Sequence, residues 1–136
     1  MTSNVHNNMA QAAYAAVTTV SKSDQKEFRS LARSFPSMLQ TNGLCAAIAF
    51  LNAKKEGSSA HRELYQILTA RLKEIGLLKD QDLLERILEL DNSDYRLCTD
   101  EVMNFCLWIK RFAEGMSSQN DIKEQQPEQA PAEHQQ

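Results

Sequence analysis

Turn-forming residues are scarce in this sequence. Its 136 residues include four glycines and three prolines, and two of those prolines, Pro127 and Pro131, lie in the last ten positions. An all-β sandwich or barrel needs turn signals at short, regular spacing, so that class is excluded. The three cysteines, Cys45, Cys98 and Cys106, are an odd number with no short paired spacing. They suit neither a disulfide framework nor a zinc site. The longest apolar run, Leu44 to Leu51, is far below the roughly 20 residues that cross a bilayer. Met1 to Asn8 carries no basic start and no apolar run of a secretory signal, so a reducing cytoplasm is the expected compartment.

The usual chemical signatures are thin as well. Gly43 and Gly57 stand alone, so no glycine-rich loop cradles a phosphate. Of the histidines, His6 lies in the polar start, His134 near the end, and His61 after a turn. A Cys–His nucleophile would have to pair His61 with one of the three thiols. Cys45 and Cys106 fall on apolar helix positions, where thiolates are disfavoured, which leaves Cys98 and requires it to have a depressed pKa. The expectation is a non-enzyme with no metal, cofactor or small-molecule substrate.

What is present is helical periodicity. Val5, Met9, Ala12, Ala13, Ala16, Val17 and Val20 recur at three- and four-residue steps, the stripe of an amphipathic helix, with Tyr14 off its centre. A second helix is expected from about Ser23 to Phe35, ended or kinked by Pro36, then a short turn closed by Gly43. Leu44 to Ala53 has no polar face, so it should be wrapped by neighbours. Ala60 to Ile75 follows, with Leu64, Ile67, Leu68, Leu72 and Ile75 inward, and Gly76 breaks it. A fifth helix runs from Asp80 or Gln81 to Leu90, with Leu83, Leu84, Ile87, Leu88 and Leu90 inward. Asp91 to Cys98 reads as a loop anchored by Tyr95 and Leu97. Thr99 then caps a last helix to about Met116 with the stripe Val102, Phe105, Cys106, Ile109, Phe112, Ala113 and Met116. The fold class is all-α, a bundle of five or six short helices around the Leu44 to Leu51 segment.

Residues 1–116 form the domain. From Ser117 the chain is rich in Gln, Glu, Pro and Ala, too poor in apolar residues to repay its ordering entropy, so residues 117–136 are expected to be disordered. The formal net charge of −3 arises in that tail, because 14 basic and 14 acidic residues balance up to Met116. Acidic overall charge therefore says nothing against nucleic-acid binding by the body, where local patches decide.

The most informative patch is Lys22, Lys26, Arg29 and Arg33. At 3.6 residues per turn these four cluster in one wedge, opposite Phe28, Leu31, Ala32 and Phe35, and span about 16 Å. Such a row can follow a phosphate backbone, although like charges one turn apart cost a helix a few tenths of a kcal/mol. A solvated face partly offset by Asp24 and Glu27 explains the same row more plainly. Lys54 and Lys55 add cations in a turn, and Lys110 and Arg111 face away from the last apolar stripe. By contrast, Glu74 to Glu101 holds nine acids against three bases, so one small body carries a basic and an acidic end. No aromatic stacking platform is evident.

Three stretches carry a resemblance. F-P-S-M-L-Q-T-N-G-L-C-A-A-I-A-F-L at Phe35 to Leu51, T-D-E-V-M-N-F-C-L-W-I-K-R-F-A at Thr99 to Ala113, and more weakly Q-A-A-Y-A-A-V at Gln11 to Val17 resemble the small all-helical subunit of the type III-B CRISPR RNA-targeting effector, the Cmr complex. The resemblance implies a non-catalytic protein that stacks with neighbouring copies of itself and other Cmr subunits along the groove holding guide RNA and target RNA. It implies backbone rather than base contacts, target cutting by the repeated backbone subunit, and cyclase activity in the large one. On that footing the RNA-binding residues are Lys22, Lys26, Arg29 and Arg33, then Lys54, Lys55, Lys110 and Arg111, with an internal salt bridge as the other role open to Arg111. A helical protein-interaction adaptor with no nucleic-acid contact is the competing reading.

Overall fold

The structure, a computed structural model, describes the backbone of residues 2–133 and the side chains of residues 8–115. Six helices account for it: α1 (Thr2–Thr18), α2 (Gln25–Asn42), α3 (Leu44–Lys54), α4 (Ser59–Glu74), α5 (Leu83–Glu89) and α6 (Asn92–Glu133), with a 3-10 turn, Lys22–Asp24, leading into α2. No strand occurs among the described residues. The expected all-α bundle is what forms. The tail expected to be disordered lies outside the residues whose side chains are described.

Each helix is set by its apolar spacing. In α2, Phe28, Leu31, Ala32, Phe35, Pro36 and Leu39 are all buried, a repeat of three and four that makes one inward stripe. That stripe explains why Pro36 does not end the helix, contrary to expectation. A proline inside a helix costs about 3 kcal/mol, whereas burying a Phe or Leu side chain contributes roughly 1.5–3 kcal/mol. Phe35 before it and Leu39 after it are 0% and 1% exposed, so packing outweighs one missing hydrogen bond.

The stop comes at Gly43, with φ 93° and ψ 164°, a backbone region that is essentially restricted to glycine. Its N–H donates to the Leu39 carbonyl at 2.9 Å and its own carbonyl accepts from Ala47 N at 3.0 Å. One residue thus closes α2 and opens α3. Leu44, Ala47, Ile48 and Leu51 of α3 are fully buried against α2, α4 and α5. The wrapping is incomplete, because Ala46 and Ala53 are exposed.

The expected loop from Asp91 to Cys98 is helical. Asp91 caps α6: its carboxylate accepts from Asp94 N at 2.8 Å and its carbonyl from Tyr95 N at 2.8 Å. Thr99, expected as the cap, lies inside the helix and donates to the Tyr95 carbonyl at 2.8 Å. Tyr95 is the anchor it was expected to be, since its hydroxyl accepts from Cys45 N at 2.9 Å, tying α6 to the first turn of α3. Leu97 and Leu88, expected inward, are 55% and 65% exposed. α6 makes the bundle's most extensive contacts, with α2 and α1, through Val102, Phe105, Cys106, Ile109 and Ala113, all buried.

Candidate nucleic-acid interface

Because the inward stripe of α2 is fixed by Phe28 through Leu39, its outer side must carry what lies between. Lys26 and Arg33 are exposed there, while Arg29 is half-buried and has an interaction of its own. Lys22 is exposed but precedes α2. It belongs to the 3-10 turn, which advances about 120° per residue instead of about 100°. Arg33 Nε meets Glu114 Oε2 of α6 at 3.3 Å, with the two side chains 56% and 41% exposed. A pair this open is worth about 0–1 kcal/mol, so a phosphate can exchange for the carboxylate at little cost. Lys110, half-buried, lies one turn before Glu114 on the same side of α6.

The other two expected cations gather at the opposite end of α2. Lys54 and Glu27 both lie close enough to His61 to act on its charge. The His61 pKa is held below its ordinary value, mainly by burial and then by Lys54. Lys54 Nζ lies 5.8 Å from the Phe50 ring centre and Lys55 Nζ 4.5 Å from that of Tyr65. Lys55 also lines a hollow of about 460 Å³ with Arg62 and Lys73 of α4. Arg33 is thus drawn to α6, whereas Lys54 and Lys55 lie around the α3–α4 turn.

Three aromatic rings meet at a partly open surface, where no stacking platform was expected. Tyr14 of α1 stands edge-on to Phe112 at 5.4 Å and 81°. Phe112 stacks with Trp108 at 5.7 Å and 20°, and the Arg111 guanidinium lies 5.2 Å from the Trp108 ring centre. Tyr14 is 53% exposed and Arg111 is exposed. Arg111 thus makes a ring contact, whereas an internal salt bridge was the alternative considered for it.

Sequence reasoning missed three polar anchors. Arg71 is 8% exposed; its Nε donates to Glu101 Oε2 at 3.0 Å, its Nη1 to Glu74 Oε1 at 3.1 Å, and it covers Phe105 at 5.3 Å. Its position, between Leu68 and Leu72 on an apolar stripe, was the available signal. The Tyr65 hydroxyl donates to the Asp82 carboxylate at 2.9 Å and accepts from Leu84 N at 3.1 Å, fixing the start of α5. Burial pushes its pKa up to about 12. Third, Glu63 of α4 shares a hydrogen bond with Asp24 and accepts from the Ser21 backbone, and burial followed by Asp24 raises its pKa to about 7.

Two of the thiols are pushed away from the thiolate form. Burial, then Glu101, pushes Cys98 up to about 11, and burial alone pushes Cys106 up to about 12. A Cys98 nucleophile would need the opposite shift, so that reading is set aside. No group of three His, Cys, Asp or Glu side chains that could hold a metal occurs among the described residues. No described helix is long and apolar enough to cross a membrane.

These features, cations on an outer helical face over an alanine-rich bundle with no metal-binding cluster among the described residues, coincide with a family match. The profile of the family described as CRISPR-associated protein (Cas_Cmr5) matches residues 5–116. The chain belongs to the Cmr5 family. Among curated relatives, the CRISPR system Cmr subunit Cmr5 of Thermus thermophilus is 32% identical over 108 residues, which cover 79% of this chain and 90% of that protein. The crystal structure of a CRISPR-associated Cmr5 family protein from the same organism superposes with a TM-score of 0.68 at 31% identity, covering 81% of this chain and 95% of that one. The Cmr5 match spans all three stretches on which the resemblance was drawn and stops where the Gln- and Glu-rich tail begins.

Proposed function

We propose that this Cmr subunit is a non-catalytic RNA-backbone-binding protein of a type III-B CRISPR ribonucleoprotein in the cytoplasm. It lies beside other Cmr subunits and copies of itself along the groove that holds guide and target RNA. The observation that carries this reading is the outward row on α2, with Lys26 and Arg33 exposed and Arg33 reaching α6 through its open contact with Glu114. Cations spaced along a helix give affinity for phosphates without reading bases. Each phosphate neutralised also releases counterions, so binding should weaken steeply with salt.

The test is RNA binding by the assembled complex with Lys26, Arg29 and Arg33 all changed to Gln. The expected result is weaker binding and a shallower dependence of log affinity on log salt, by about 0.7 for each phosphate of a single strand that is no longer neutralised. Unchanged affinity and slope would remove this face from the site. The adaptor reading gains from Glu114 already occupying Arg33. Mobility shifts with single- and double-stranded RNA at two salt concentrations separate the two, since an adaptor shifts neither.

A further inference from the structure

We propose that the Tyr14–Phe112–Trp108–Arg111 surface, where α1 meets α6, is a stacking platform for unpaired bases of a single-stranded RNA. This proposal rests on the nucleic-acid reading above and adds base contacts to it.

The rings are arranged before any ligand arrives. Phe112 touches both Tyr14 and Trp108, and Arg111 lies against the indole, so the side chains lose little further freedom on binding. Yet the column is not sealed. Tyr14 is 53% exposed, Trp108 and Phe112 are half-buried and Arg111 is exposed. Rings at the rim of a core are often half-exposed; what marks this surface is that three of them adjoin one another and Arg111. Unpaired bases stack on aromatic rings and on guanidinium planes alike, and the Arg111 contact is within the roughly 6 Å of a cation–π pair.

Charge selects the partner. α1, Thr2–Thr18, contains no Asp, Glu, Lys or Arg at all, so nothing on that side repels an anion. The α6 side offers Lys110 and Arg111, and the neighbouring carboxylate, Glu114, is engaged by Arg33. Aromatic faces beside cations suit a polyanion whose bases are free to splay. A duplex keeps its bases stacked on each other and offers none, so the surface should prefer a single strand.

Trp108 is the chain's one tryptophan, so its fluorescence reports on this surface directly. The full-length protein is titrated at low salt with a single-stranded oligouridylate, and separately with the same strand in a duplex. The expected result is quenching by the single strand and little by the duplex. Tyr14→Ala, at an exposed position, should lower single-strand affinity by about five- to a hundredfold, with circular dichroism unchanged. Arg111→Lys keeps the charge but loses the planar guanidinium; affinity should fall while the salt slope stays as in the wild type. The Lys26, Arg29 and Arg33 triple variant should do the reverse, flattening the slope while the bound state still quenches.

If the wild type binds salt-dependently, but Trp108 emission is unmoved and Tyr14→Ala and Arg111→Lys bind normally, stacking is overturned and the backbone reading stands. If the chain binds neither form at low salt, stacking is overturned. The backbone reading is then decided by the assembled complex. Equal quenching by the duplex also overturns the platform, because it would mean that contact here needs no unpaired base.

Discussion

Arg71 shows how much one polar side chain can hold in an apolar setting. It is 8% exposed, with Glu101 at 19% and Glu74 at 61%. The two carboxylates are unequal partners, because the shielded one interacts through a lower dielectric. Glu101→Ala leaves the buried guanidinium short of its better partner and should cost about 1–3 kcal/mol. Glu74→Ala removes a surface pair and should cost no more than about 1 kcal/mol. Urea unfolding of both variants checks the contrast, and equal losses would mean that burial does not rank them. The same arginine supports the groove of about 600 Å³ between α1 and α4, beside Ala12, Ala16, Ala70 and Phe105.

At the scale of elements, the corner between α2 and α3 depends on one residue. Gly43 has φ 93° and ψ 164°, and the space where a Cβ would sit is ordinary, with the Tyr95 hydroxyl 3.8 Å away. Strain and not collision is therefore what a side chain meets. Gly43→Ala should destabilise the fold by about 1–3 kcal/mol, read as a fall in the thermal midpoint with the helical signal at low temperature intact. A neutral result would mean that the corner relaxes.

This corner also shows what the sequence could and could not convey. Glycine after Thr41-Asn42 announced the stop, because no other residue suits that backbone. Pro36 announced a break that did not occur, because local propensity cannot weigh the burial of Phe35 and Leu39 on either side. The Leu44 to Leu51 helix was legible as core from its composition, but the exposure of Ala46 and Ala53 was not, since alanine tolerates either environment. Thr99 was the expected cap and Asp91 to Cys98 the expected loop; the Tyr95 bond to Cys45, fifty residues away, favours the earlier start. For the candidate site, periodicity placed Lys26 and Arg33 correctly. It could not foresee that Lys22 sits in a tighter turn, or that Glu114 reaches Arg33 across 81 positions. The aromatic surface was out of reach for the same reason: Tyr14 and Phe112 are neighbours only once α1 and α6 have packed.

At the scale of the whole molecule, the pair Glu63 and Asp24 links α4 to the junction of α1 and α2. Glu63 is raised to about 7 while Asp24 is lowered, with Ser21 Oγ donating to Asp24 at 2.8 Å. Glu63 thus keeps its proton to higher pH than an ordinary glutamate, beside an Asp24 that favours its ionised form. A raised folded-state pKa contributes stability that is full below about 4.5, the ordinary Glu value, and is lost as pH rises through about 7. Arg62 nearby moderates the effect, and His61, lowered, runs oppositely by losing stability as pH falls. The comparison is therefore with Glu63→Gln, whose amide donates to Asp24 without titrating. The wild type should lose stability relative to this variant from pH 5 to 8, read from denaturation midpoints; parallel profiles would mean that no proton is shared.

α1 has a different standing in the fold from its neighbours. Among the described residues its substantial contacts are with α6, while α2 and α3 each lean on three helices. Bearing no Asp, Glu, Lys or Arg, it is held by small apolar side chains such as Ala13 and Val17, with no carboxylate or ammonium of its own to fix its register. A rod fastened along one seam is the first piece to peel away, and it takes Tyr14 with it. The copy of this protein that loses its amino-terminal helix would keep the row on α2, yet forfeit one of the three rings of its aromatic edge.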